Sequence, residues 1–293
     1  MIRLAALALL ALAPAADPVT GYQVVPSRAD PNVKAFDDPN YIFAADDLPA
    51  GAPLAVFLPG TNGKPEYNAN LLRFVAGLGY RVIGLSYNND PAVVQVCTAD
   101  PDPDCASDFR EMRVFGTGKS KTVSNPMAEA IVPRLVALLR TLDKGQPGKG
   151  WDEYLDGDSL KWERILFSGQ SQGAGMAAWI AKRHKIRRIV LFSSPWETSG
   201  RQRKPAPWIA EPGATPIARW QAAYNARENT VPLITAAYAA LGLPDAQIHV
   251  LKLDLPPGFG SNSPNPYHGA GIRDPRYADV WKAMFGKGTD KPE

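Results

Sequence analysis

The pentapeptide Gly169-Gln170-Ser171-Gln172-Gly173 has the spacing G-x-S-x-G. A serine hydroxyl is a weak nucleophile until a neighbouring base takes its proton, and a glycine-flanked serine can be lifted onto a sharp turn where its Oγ is free to attack. The context matches that use. An apolar run, RILFS at 164–168, leads into the pentapeptide, and a helical pattern, Gln172 to Lys182, leaves it. Gly169 and Gly173 let strand and helix pass closely, and Gly175 extends that tolerance. Ser171 then sits at the positive end of a helix, with the backbone N–H of Gln172 aimed at a developing oxyanion. A second donor belongs in the loop FLPGTNGKP at 57–65, where Thr61 N–H is preferred and Gly60 is the next candidate. Read blandly, PGTNG is only a tight turn and GQSQG only a glycine-rich connection.

A serine nucleophile requires a base, and the chain has three histidines. Reacting groups gather at the carboxyl ends of parallel strands. His184 follows the helix after Ser171 and returns toward the opposite end, while His249 opens its strand. His268 follows the last strand in the loop PPGFGSNSPNPYHGAG, so it alone has the expected position and yields the chain order serine, acid, histidine. Two residues meet the requirement for the acid, which must orient the imidazole and stabilise its cation. Glu197 follows RIVLFSS, and Glu228 follows a strand expected within 217–226.

The elements that must hold these residues read clearly. Short apolar runs at 53–58, 80–87, 164–168 and 188–193 predict buried strands, with 41–45 as an edge strand and a more mixed strand near Ile248. Helical patterns fall at 70–77, 125–143, 172–182, 230–241 and 275–285, with Asn125 as N-cap and a kink expected at Pro133. Alternating strands and helices imply an α/β class with a mostly parallel central sheet flanked by helices. Trp196, Trp208 and Trp220 lie in or near an insertion at 195–220, where they form either a lid over a pocket or ordinary core.

The chain has 293 residues, 45% hydrophobic and 21% charged, with a net charge of +3, which suits a globular domain. Its basic residues are scattered, so no nucleic-acid partner is implied. Residues 1–16 carry Arg3, an apolar run and a small-residue end, which predicts a signal peptide, too short for a stable membrane anchor, followed by a single domain over 17–293. Export, to the periplasm or outside the cell, predicts that Cys97 and Cys105 are paired. Asp100, Asp102, Asp104, Asp108 and Glu111 fall at calcium-loop spacing, but Cys105 stands where that loop needs glycine, so they read as a solvated acidic loop and no metal is expected.

With these residues placed, the chain resembles the α/β-hydrolase superfamily over about residues 40–285, most specifically at GQSQG. LPGTNG, the Cys97 and Cys105 loop, GQSQGAG, SSPWE and YHG further resemble a little-characterised secreted subfamily. The resemblance implies an α/β-hydrolase fold and a serine hydrolase that cleaves a carboxylic ester or similar acyl bond, of a small molecule or a polymer, without a cofactor. It also favours Glu228 over Glu197, because Glu228 with Val231 and Pro232 resembles the acid-x-x-Val-Pro segment that often follows the penultimate strand. The sequence departs from the commonest pattern in Gln170, where lipases often have His, and in Glu rather than Asp as the acid. A serine peptidase or thioesterase would use the same residues, and a binding protein on the same fold is the alternative outside enzymes.

Overall fold

The computed structural model describes residues 19–199, 204–260 and 263–290. The expected signal peptide at 1–16 lies outside the described residues. Eight strands form the main sheet: β1 (Val19–Val24), β2 (Asn40–Ala45), β3 (Leu54–Leu58), β4 (Arg81–Gly84), β5 (Ile165–Gln170), β6 (Arg188–Phe192), β7 (Trp220–Asn225) and β8 (Ile248–Leu251). Their order is β1-β2-β4-β3-β5-β6-β7-β8. β1 and β2 run antiparallel, as do β2 and β4, and every remaining pair is parallel.

The sequence dictates this layering through its alternation. Leu54, Val56 and Leu58 of β3 enter one core cluster, whereas Ala55 and Phe57 enter the other. Ile165 and Phe167 of β5 are divided from Leu166 in the same way. Successive strand side chains point to opposite faces, so a strand buried on both sides must be apolar throughout. On one face lie α2 (Cys105–Phe115), α3 (Ile131–Gly145), α4 (Gln172–Arg183) and α5 (Val231–Leu241); on the other lie α1 (Ala69–Gly77) and α6 (Ala278–Phe285). α4 is buried along almost its whole length, which explains its run of Gly and Ala.

Three expectations need correction. β2 is not an edge strand, because β1 pairs with its outer side from Val19 opposite Ala45 to Val24 opposite Asn40. β1 left a weak signal since only Val19, Tyr22 and Val24 pack on the core, each of them partly buried. The helix expected from Asn125 instead starts at Ile131, after a short 3-10 turn at Met127–Glu129. Asn125 caps nothing there; its side chain is buried and accepts from Arg113. Pro133 falls in the first turn, where its missing N–H has no intrahelical acceptor to lose, and the helix continues unbroken to Gly145.

The tryptophans divide between the two readings. Trp208 and Trp220 are core, 1% and 2% exposed. Trp196 is half-buried and lines a cavity with Ser171.

Candidate active site

Ser171 joins β5 to α4 with φ 53° and ψ −125°, a left-handed conformation that a non-glycine residue holds only where its surroundings force it. Those surroundings are specific. Ser171 N–H donates to Phe192 O at 2.9 Å, and Ser171 O accepts from Gly175 N–H at 3.2 Å. A Cβ on Gly173 would lie 2.0 Å from Leu58 O, and one on Gly169 would lie 2.4 Å from the carbonyl carbon of Gly173. Only glycine allows strand and helix to cross here.

The turn expected to supply the second oxyanion donor packs directly on this elbow. A Cβ on Gly60 would meet Gln170 Oε1 at 2.4 Å and Ser171 Cβ at 3.0 Å. Thr61 lines a cavity of about 70 Å³ together with Ser171 and Gln172. The turn is fixed from outside by groups that sequence reasoning did not single out. Tyr87 donates its hydroxyl to Pro59 O at 2.8 Å, and Asn89 donates to Gly63 O at 2.8 Å while accepting from Asn62 N–H at 3.2 Å. The Gln172 side chain reaches the same segment, accepting from Val93 N–H at 2.7 Å and donating to Asn89 O and Pro91 O at 2.9 and 3.0 Å.

His268 lies in a 3-10 turn, Pro266–Gly269, and its Nδ1 is 2.7 Å from Glu228 Oε2. The Glu228 side chain is wholly buried, that of His268 21% exposed. Burying a carboxylate is costly unless its oxygens are satisfied, and here they are. Oε1 accepts from Ser193 Oγ at 2.7 Å and from Asn225 N–H at 2.8 Å; Oε2 also accepts from Thr230 Oγ1 at 3.4 Å. Ser193 and Asn225 stand at the carboxyl ends of β6 and β7, so two strand ends aim one acid. Asn229 then ties the acid loop to the histidine loop, donating its N–H to Asn265 Oδ1 at 3.2 Å and its side chain to Pro264 O at 3.0 Å. Ser193 and Asn229 were legible only as polar residues beside the strand ends, with nothing to mark them from solvent-facing ones.

The other candidates lie elsewhere. Glu197 is buried against Arg110, accepting from its Nε at 2.7 Å, and against Trp208, whose Nε1 donates at 3.0 Å. His184 stacks on Trp162 with ring centroids 3.8 Å apart, and partial burial lowers its pKa. His249 shares Gln221 Oε1 at 2.9 Å, and burial lowers its pKa too. The reason for setting His249 aside needs correcting, because the register runs from Gln170 through Phe192 and Ala223 to His249. It is therefore level with the elbow but displaced by three strand spacings, roughly 14 Å of sheet.

Cys97 and Cys105 are joined by a disulfide, with Cα atoms 5.5 Å apart. Closing this short loop contributes about 2.5 kcal/mol in a chain-entropy account, enough to hold the start of α2 beside the 93–96 turn. Several of the acidic residues bond to neighbours in the fold: Asp100 accepts from Asp102 N–H, Asp102 from Asp104 N–H and from Lys121, and Glu111 from Trp179 of α4. Among the described residues no cluster of His, Cys, Asp and Glu is arranged to hold a metal, and no helix is long and apolar enough to cross a membrane.

No family model matches the sequence, and no curated protein matches it significantly. Solved structures do. Esterase B from Lactobacillus rhamnosis, inhibited by a tributyrin phosphonate, is similar with a TM-score of 0.52 at 13% identity, covering 91% of this chain and 86% of its own. Esterase 2 of Thermogutta terrifontis, phosphonylated by sarin, is similar with a TM-score of 0.50 at 14% identity, covering 92% of this chain and 97% of its own. The chain has the α/β-hydrolase fold.

Proposed function

We propose that the protein is a secreted serine hydrolase that cleaves carboxylic esters through an acyl-enzyme on Ser171. The observation that carries this reading is the buried, fully bonded Glu228 carboxylate 2.7 Å from His268 Nδ1, with the His268 carbonyl tied by Gln170 to the glycine elbow on which Ser171 is held at positive φ. In this reading Glu228 keeps the proton on Nδ1, leaving Nε2 free to accept. His268 takes the Ser171 hydroxyl proton as Oγ attacks the acyl carbonyl. The oxyanion accepts from the N–H of Gln172 and that of Thr61, with Gly60 as the alternative. His268 then passes its proton to the departing alcohol as the carbon–oxygen bond breaks. Water attacks the acyl-enzyme, giving its proton to His268, and the carboxylic acid leaves as Ser171 regains its hydrogen.

Export of a single domain, residues 17–293, after removal of residues 1–16 suits the Cys97–Cys105 disulfide, which an oxidising compartment would maintain. One of the two similar esterases is inhibited by a phosphonate and the other is phosphonylated by sarin, which makes a fluorophosphonate an apt probe. It should label the wild-type protein at Ser171 and leave a folded Ser171→Ala variant unlabelled, and a screen of acyl esters, thioesters and peptides would then assign the bond. Folded wild-type protein that takes up no label would overturn the reading in favour of a binding protein.

A further inference from the structure

Arg81 opens β4 and is only 6% exposed, yet it forms no ion pair among the described residues. Its Nη1 donates to the Tyr154 hydroxyl at 3.0 Å and weakly to Ala52 O at 3.5 Å, both neutral acceptors. Nε and Nη2 have no acceptor among the described residues, and neither is sealed from solvent. The rings of Trp151 and Tyr154 lie 6.0 and 5.9 Å from Cζ, which offsets part of the charge but supplies no acceptor. A buried cation without a counter-ion is costly, so this guanidinium invites an anion.

Arg81 lines a cavity of about 540 Å³, well within the size range of ordinary ligand pockets. Gly150 forms part of the same wall at φ 76°, and a Cβ there would lie 2.7 Å from Nη2, so glycine leaves the guanidinium uncovered. Gln146 Oε1 accepts from the Tyr22 hydroxyl at 3.0 Å and from Trp151 Nε1 at 3.2 Å, which ties the 146–151 loop to β1 and keeps the cavity preformed. We infer that this cavity binds a small organic monocarboxylate, whose two oxygens accept side by side from Nε and Nη2 of Arg81. The charges select a monoanion. Glu153 also lines the cavity, but its Oε2 is held by Arg164 at 2.8 Å and by Gly51 N–H at 2.8 Å. Arg81, Lys149 and Arg164 set against Asp46 and Glu153 leave a single positive charge, which one carboxylate balances and a phosphate dianion would exceed. The site is separate from the elbow. Arg81 and Ile165 both pair with Leu54, so Arg81 lies six positions before Ser171 along the strands, roughly 20 Å away at the opposite end of the sheet.

The test follows the indole N–H resonances of the seven tryptophans, assigned by sequential NMR, while the folded protein is titrated at constant ionic strength. Benzoate should shift the Trp151 resonance along a saturable curve with a Kd of about 1 mM, and neutral benzamide should bind about 10-fold or more weakly, the size expected of hydrogen bonds to a charged donor. Inorganic phosphate should also bind more weakly than benzoate. Arg81→Met, which keeps the length of the side chain and removes its charge, should weaken benzoate by the same factor as the loss of the ligand's charge. No saturable shift at Trp151, benzamide binding as tightly as benzoate, or tighter binding of phosphate overturns the inference. So does a response confined to Trp196, which lines the cavity beside Ser171 and reports binding there instead. The wild-type comparison decides the matter even if Arg81→Met does not fold. Fluorophosphonate labelling of Ser171 tests the proposed function independently of every one of these results.

Discussion

The side-chain amide of Gln170 donates to the main-chain carbonyl of His268 at 3.1 Å. The residue before Ser171 thus holds the loop that carries the proposed base, across 98 positions of sequence. The loop's other holds are Glu228, the Asn229 contacts, and Arg227, which donates to the Tyr267 hydroxyl at 2.8 Å. Gln170→Met keeps the side-chain length but cannot donate. It should lower kcat about 5- to 10-fold, the equivalent of one ordinary hydrogen bond, with KM and the unfolding midpoint little changed. Steady-state kinetics on an ester substrate checks this; a rise in KM alone would mean that Gln170 shapes the pocket rather than the histidine.

Glu228 and Glu197 are both buried glutamates after neighbouring strands, yet removing their charges should have opposite signatures. Glu228→Gln can present an N–H toward His268 Nδ1, which puts the proton on Nε2 and blocks acceptance from Ser171. Its acylation rate should fall on the order of 10³-fold or more in a protein that remains folded. Glu197→Gln instead leaves the fully buried Arg110 without its counter-charge, and should cost about 3 kcal/mol of stability. Stopped-flow acylation and urea unfolding on both variants separate the cases. Equal stability loss with a larger rate loss for Glu197→Gln would move the role of acid to Glu197.

Acid should act on this protein in two distinguishable ways. Activity should fall on acidification, because the proposed mechanism needs an unprotonated base to accept the serine proton. Stability should fall as well, through His184 and His249, whose burial lowers their pKa from 6.5. For a base held neutral in the fold, the unfolded chain binds more protons between the folded and unfolded pKa values, so stability is full above the unfolded value and declines below it. The double variant His184→Gln/His249→Gln should therefore lose stability less steeply between about pH 7 and about pH 5, while keeping the acid limb of its rate profile. Identical stability slopes in the two proteins would refute the assignment.

How far the sequence disclosed this arrangement follows from how local each signal is. GQSQG announced itself because its glycines answer to a backbone crossing within one strand-turn-helix unit, a Cβ at Gly169 meeting the carbonyl carbon of Gly173 at 2.4 Å. Trp208 and Trp196 could not be told apart, since one fills the core and the other a cavity wall only after the chain around each has folded. The partners of Glu228 were hidden for a similar reason: Ser193 lies 35 residues away, brought near by the pairing of β6 with β7. The pairing of Arg110 with Glu197 left no trace either, because a buried arginine on a helix reads as a surface one. Pro133 was misread for want of a helix boundary, as one turn's difference changes a kink into an ordinary start.

The elbow also yields a prediction about glycines that separates packing from propensity. Gly173 opens α4 directly against β3, and an alanine methyl there would occupy space within 2.5 Å of both Leu58 O and Pro59 O. Neither backbone atom can withdraw without dislodging the turn that carries Thr61, so Gly173→Ala should destabilise the protein by about 3 kcal/mol or more and displace Ser171. Gly77 is the control. It closes α1 with nothing within 4 Å of its notional Cβ and no positive φ, so Gly77→Ala should stabilise by about 0.5 kcal/mol through reduced freedom of the unfolded chain. Urea unfolding of both variants gives the comparison, and fluorophosphonate labelling rates report on Ser171. A Gly173→Ala protein with wild-type stability and labelling would show that strand and helix need not cross so closely, and would undo the geometric case for the elbow.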